Sequence, residues 1–196
     1  MKLTKALFFA TVTSAGIIDK LEFPEAKLAM VNISSAVQSF RAQVESGNDD
    51  ALPGAANAVL QTIHGSLLAV TREIVTFKEE TARVMAADLQ SLPQQFASLQ
   101  GPLRNKRSSL ARANACGSVC EFLDDCARLT AAFFRSLAWR MPEDNSKARV
   151  AAESHQGEFI KVMDGLKADF VQSLCLDVAL PWSWLSNSTD RYLYIL

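Results

Sequence analysis

The chain is predicted to be all-α, an antiparallel bundle of about five amphipathic helices spanning residues 24–175. Apolar residues recur at alternating three- and four-residue steps in five separate stretches, which is the signature of one buried face on each of five helices. Turn formers are scarce, with 8 Gly and 6 Pro in 196 residues, too few for a many-stranded sandwich. At 49% hydrophobic the chain is also too apolar for disorder. A single domain of this length buries roughly 70% of the surface its unfolded chain exposes, so a core forms without obligatory staples.

The first helix opens at Pro24 and Glu25 and aligns Met30, Ile33, Val37, Phe40 and Val44. Ser46-Gly47-Asn48-Asp49-Asp50, reinforced by Pro53 and Gly54, predicts the loop that follows. The second stripe, Ile63, Leu67, Val70, Ile74, Phe77 and Val84, with Thr81 filling the missing place, predicts one helix from about residue 55 to 88, roughly 50 Å long. Ser91-Leu92-Pro93 opens a third helix with Phe96, Leu99, Leu103 and Leu110 in line, which Gly101-Pro102 should kink or divide. The fourth steps through Cys116, Val119, Leu123, Cys126, Thr130, Phe133 and Leu137 and closes at Met141-Pro142. A fifth, from about Glu143 to Cys175, points Val150, His155, Phe159, Val162, Leu166 and Phe170 inward. Breaks at Gly47, Pro93 and Pro142 cut the pattern into bundle-length pieces, which favours an intramolecular bundle over an intermolecular coiled coil. Residues 176–196, aromatic from Pro181 onward, have no period and form a tail of unassigned structure.

The two ends follow other rules. Lys2 and Lys5 precede the apolar stretch Ala6 to Val12, and the small residues Thr13, Ser14, Ala15 and Gly16 come next, so residues 1–15 read as a secretory signal peptide. That run is too short to span a bilayer, and no later one reaches about 18 uninterrupted apolar residues. The mature protein is therefore expected to be secreted, with no transmembrane segment.

Export permits disulfides, and Cys116, Cys120, Cys126 and Cys175 allow three pairings. A bond between Cys116 and Cys120, one helical turn apart, would be strained, so Cys175 with one of the other three is the expected staple. Two glycosylation sequons are present, Asn32-Ile33-Ser34 and Asn187-Ser188-Thr189. Asn187 is the better acceptor, because a site in a tail is easier to modify than one fixed in a helix.

Chemistry is expected to be absent. The chain has only two histidines, His64 and His155, and neither stands in a nucleophile or zinc motif. Adjacent pairs such as Asp124-Asp125 and Glu79-Glu80 point about 100° apart on a helix and cannot share one acid/base site. Cys116-x3-Cys120 has no histidine near it in sequence, so no metal and no cofactor are expected. The net charge of −1 excludes a nucleic-acid partner, and the basic cluster Arg104, Lys106, Arg107 and Arg112 reads as a solvated helix face.

The order of these elements resembles the fungal hydrophobic surface-binding protein and cell-wall galactomannoprotein family. The likeness is carried by Met30 to Phe40, then Leu92-Pro93 with Phe96, Leu99 and Leu103, Lys106-Arg107, Gly117, Val119, Leu123, Leu129, Phe133, Leu137, Arg140-Met141-Pro142, and Phe159-Ile160, over about residues 27 to 172. The cysteine cluster is foreign to that family, and no Ser/Thr-rich stalk or apolar anchor signal is evident, so a freely secreted, divergent member is expected. The resemblance implies a secreted, non-enzymatic protein of the cell wall or secretome that binds hydrophobic surfaces or a fatty acid and sometimes recruits a secreted hydrolase. Its acyl chain would lie between helices lined by Ile63, Leu67, Val70, Ile74, Phe77, Phe133, Leu137 and Phe159. The competing class is a secreted effector that engages a partner, such as a host protein, through Trp182, Trp184, Tyr192 and Tyr194 of the tail.

Overall fold

The computed structural model describes residues 24–72, 76–142, 146–171 and 174–175. Among them the chain forms seven α-helices, one 3-10 turn and no strand. The helices are α1 (Pro24–Ser46), α2 (Leu52–Arg72), α3 (Glu79–Leu89), α4 (Ser91–Ala97), α5 (Gln100–Arg112), α6 (Cys116–Ala138) and α7 (Lys147–Ala168), with the turn at Asp49–Ala51. Helices α3, α4 and α5 follow one another with single-turn joints and act as one jointed rod. The architecture is therefore the expected bundle of five rods.

Proline sets most of the helix starts. Pro24, Pro53, Pro93 and Pro102 each fall within the first three residues of the helix they open, where the missing N–H has no intrahelical partner to lose. The expected division at Gly101-Pro102 accordingly falls just upstream, at Ser98 and Leu99, since the Pro102 ring would clash with the carbonyl four residues back. Gly47 (φ 81°) ends α1 in the left-handed region. Asn114 (φ 55°) does the same for α5, where the Ala115 N–H reaches back to the Leu110 carbonyl at 2.9 Å. Ser146 caps α7 by accepting the Arg149 N–H at 3.2 Å.

Two expectations need correction. The helix predicted over 55–88 is two helices, because α2 ends at Arg72 and residues 76–78 lie outside helix. A rod of roughly 50 Å would outrun its neighbours α1 and α6, which at 23 residues each reach about 35 Å. The chain instead turns across the end of the bundle, where the Phe77 N–H donates to the Arg140 carbonyl at 2.7 Å. On the fifth stripe Phe159, Leu166 and Phe170 are buried and Val162 packs against the core as predicted, whereas Val150 does not point inward. Val150 is 55% exposed, and Ala148, Ala152, Phe159, Met163 and Leu166 form the inner face. The His155 side chain is 16% exposed, largely covered at the edge of the inner face, and its Nδ1 lies 3.2 Å from Glu158 Oε2.

Long-range pairs fix the directions of the rods. Lys106 pairs with Asp49, Gln38 with Gln95, and Arg104 with Asp169, so α1, the jointed rod and α7 run the same way. Ser66 of α2 meets Ala29 of α1, and Asp124 of α6 meets Lys167 of α7, so α2 and α6 run the other way. Helix α2 packs on α1 and α6, α6 on α7, and α7 on α3 and α4, which close back on α1. Inside this ring Phe159 sits between Phe96 (ring centroids 5.1 Å) and Phe134 (5.7 Å). Every member of the predicted first, third and fourth stripes is buried.

Candidate functional site

An open groove of about 1050 Å³ runs between α1 and α2 on the outside of the ring. Its rims are two rows at helical spacing: Leu28, Asn32, Ser35, Ser39 and Gln43 from α1, and Gly54, Ala58, Gln61, Gly65 and Ala69 from α2. Its floor is Ala29, Ala36, Ala55, Ser66 and the edge of Phe40. Small side chains make the groove. They let the backbones approach until Ser66 Oγ donates to the Ala29 carbonyl at 3.4 Å, and they are too short to fill the valley above. A Cβ placed on Gly54 or Gly65 would meet no atom within 4 Å. From Leu28 to Gln43 the groove is about 22 Å long. An apolar floor, uncharged hydrogen-bonding rims and a single carboxylate, Glu25, among the lining residues suit an elongated, largely apolar ligand.

A second space of about 20 Å³, room for about one water, lies under the α1–α2 connection. Val44, Leu52, Leu103, Leu110 and Phe122 wall it, and Lys106 stands at its edge with Nζ 2.8 Å from Asp49 Oδ1. Phe40 lines both spaces, its ring 4.9 Å from that of Phe122.

The predicted acyl-lining residues occupy a different place. Ile63, Leu67, Val70, Phe77, Phe133, Leu137 and Phe159 are all buried in the core, and none lines the groove. Ile74 lies outside the described residues. Of the sequons, Asn32 is exposed on the groove rim, as its outward helical position requires, and Asn187 lies outside the described residues. The groove is not marked by large apolar residues in the sequence. Its signal is the run of Ala, Gly and Ser at three- and four-residue steps on the flanks of two neighbouring helices.

Cys175 is bonded to Cys116, with Cα atoms 5.8 Å apart, which resolves the open pairing. Cys120 and Cys126 are free thiols. Burial pushes the Cys126 thiol well above its ordinary value, with Asp125 adding to the effect. Burial also raises Cys120, helped by Asp124. Neither is poised as a nucleophile. Asp124 and Asp125 point apart as expected, one to Lys167 and the other to Arg128, each at 3.0 Å. His64 sits on α2 and His155 on α7, two rods that each pack on α6. Among the described residues no cluster of three His, Cys, Asp or Glu side chains could hold a metal ion. No helix there is long and apolar enough to cross a membrane. The basic cluster is partly tied down, Arg104 to Asp169 and Lys106 to Asp49.

The fold and groove define a helical bundle with a ligand-sized cleft between two of its rods. No protein-family model and no curated protein matches the chain. Solved structures do. Ligand-binding domain 1 of the Penicillium marneffei MP1 protein, complexed with arachidonic acids, superposes with a TM-score of 0.68 at 14% identity, over 76% of this chain and 97% of that one. Ligand-binding domain 2 of the same protein, complexed with multiple arachidonic acids, gives 0.61 at 17% identity, over 74% and 96%. At such identities the likeness establishes a shared fold.

Proposed function

We propose that the protein is a non-enzymatic lipid-binding bundle that takes a long-chain fatty acid along the groove between α1 and α2. The observation that carries this reading is the groove's build, an apolar floor about 22 Å long between rims of small and uncharged polar residues. Each methylene withdrawn from water contributes about 0.8 kcal/mol, so even partial burial of an acyl chain supports binding. The shared fold with MP1 domains that were solved with arachidonic acids supports the ligand class. The core stripe through Ile63, Phe133 and Phe159 is the alternative cradle, but it is closely filled, and its helices must part before a chain enters.

This reading makes the chain a divergent relative of the hydrophobic surface-binding and galactomannoprotein family, exported and acting in the secretome or at the cell wall. Lipid extraction of the purified chain followed by mass spectrometry, with uptake of a fluorescent fatty acid, tests the binding. A chain that carries no lipid, takes up none and does not adsorb to a hydrophobic surface rejects it. N-terminal sequencing of protein from the culture medium tests export, with a start near residue 16 expected.

A second reading, an interaction module, draws on Trp139. This residue is 74% exposed just after α6, with the Arg149 guanidinium 5.9 Å from its ring centroid and the exposed Val150 next to Arg149 in the chain. Under that reading Trp139→Ala or removal of residues 181–196 ends partner binding and leaves lipid uptake unchanged.

A further inference from the structure

We propose that Lys106 binds the carboxylate of the fatty acid, that the acyl chain parts the walls of the small apolar space beside Lys106 and passes Phe40 into the α1–α2 groove, and that Asp49 holds the site until the ligand displaces it. This assignment rests on the lipid-binding reading above and adds the head-group site and the path.

The geometry supplies each part. The space under the α1–α2 connection has bulky apolar walls, among them Val44, Leu52, Leu103, Leu110 and Phe122, and the charged side chain that lines it is Lys106. A cation at the edge of an apolar space is matched by a molecule with one anionic end and a hydrocarbon body. The Lys106 side chain is 21% exposed, so its stem lies along the bundle and its ammonium reaches the surface beside the Gly47–Asp49 turn. A Cβ built on Gly47 would lie 3.7 Å from Nζ. The partner it has there is a carboxylate, Asp49 Oδ1 at 2.8 Å, and the Asp49 side chain is 40% exposed. The resident pair thus already places a carboxylate where a fatty acid's head group would go. Asp49 belongs to a short 3-10 turn without a buried residue, so releasing it disturbs no packing.

The path follows from Phe40, which lines both the small space and the groove. With the head at Lys106, the acyl chain reaches the groove, and runs toward Leu28, by moving the Phe40 side chain aside and parting the walls of the small space, which unliganded has room for about one water. The outer groove alone has no cation among its lining residues. Its one charged lining residue is Glu25, so it would not favour an acid over its ester, and that difference makes the assignment testable.

The experiment compares uptake of a long-chain fatty acid and its methyl ester by the delipidated full chain, by Lys106→Met and by Asp49→Asn, with thermal melts to confirm folding. Methionine keeps most of the apolar stem of Lys106 and removes the charge. Wild type is expected to prefer the acid by about tenfold, the scale of one hydrogen bond to a charged group. Lys106→Met is expected to lose that preference by weakening the acid alone. Asp49→Asn is expected to bind the acid severalfold more tightly and the ester unchanged. An acid preference that survives Lys106→Met, or weaker acid binding by Asp49→Asn, overturns the assignment. Equal binding of acid and ester by wild type also overturns it and leaves the lipid-binding reading standing, whereas uptake of neither overturns that reading and this assignment with it.

Discussion

Cys116, the first residue of α6, is bonded to Cys175, beyond the end of α7, and the link ties the start of one rod to the end of its antiparallel neighbour across 59 residues of chain. Closing a loop of that length removes unfolded-state entropy equivalent to about 4 kcal/mol in the chain-entropy limit, with 2 to 4 kcal/mol typical of measured cases. Cys116→Ala or Cys175→Ala is expected to lower unfolding free energy by that typical amount. Denaturant titration of each variant, beside wild type with and without reductant, checks it. Reduced wild type should approach the variants, and a stability unchanged by reduction would refute the staple.

Thr130 presents the opposite case, a core position that the fold would hold more firmly without its polar atom. It lies in the buried stripe of α6, fully inaccessible, and its hydroxyl has no hydrogen-bond partner among the described residues. An unpaired buried hydroxyl costs about 1 to 3 kcal/mol of desolvation, and valine has nearly the same shape without that cost. Thr130→Val is therefore expected to raise the unfolding free energy by about 1 kcal/mol. A melt showing lower stability would mean that the hydroxyl is satisfied in solution.

Alkaline pH should weaken the fold through Cys126 and Lys167. Burial raises the Cys126 thiol well above its ordinary value, and the hydrogen bond to Asp124, with help from Asp164 against some burial, raises Lys167. Both folded values exceed the unfolded ones, so each contribution is fully present below the unfolded value and is lost as pH rises toward the folded one. For the thiol the loss begins near pH 8.5, about the value of a free cysteine, with a limiting slope of about 1.4 kcal/mol per pH unit. Lys167 adds to it from about pH 10.4. Denaturant titrations at successive pH values should show that Cys126→Ala, although less stable at neutral pH, has a shallower alkaline decline. Parallel curves for the two proteins would exclude Cys126 as the source.

The rods were legible because burial imposes one period on each of them, and Met30 to Val44 or Cys116 to Leu137 can be read without coordinates. The break after Arg72 was not, since no Gly or Pro marks it. Its tertiary cause, the backbone bond from Phe77 to Arg140, joins residues 63 positions apart and leaves no trace in either one's identity. Val150 failed for a related reason. Alanines at 148 and 152 are invisible to a search for large apolar residues, yet they are the ones that face the core. The groove escaped in the same way, because an absence of side-chain bulk on two helices becomes a feature only when the fold sets them side by side.

Gly65 separates the groove from the core as the place where lipid is held. It lies within α2 on the groove rim, and a Cβ there meets nothing within 4 Å. Replacing a mid-helix glycine by alanine at such a site restricts the unfolded chain without a clash, so Gly65→Ala is expected to stabilise the fold by about 0.5 to 1 kcal/mol and leave uptake unchanged. Gly65→Trp puts a large ring into the same open space. It should fold like wild type, because the ring meets solvent and not the core, while fatty-acid uptake falls by about tenfold or more as the ring occupies the ligand's volume. If Gly65→Trp melts normally and still binds as wild type does, the groove is not the site. The acyl chain must then enter between the helices that carry Ile63, Phe133 and Phe159, and Phe133→Trp, which overpacks that core, becomes the variant that should block it.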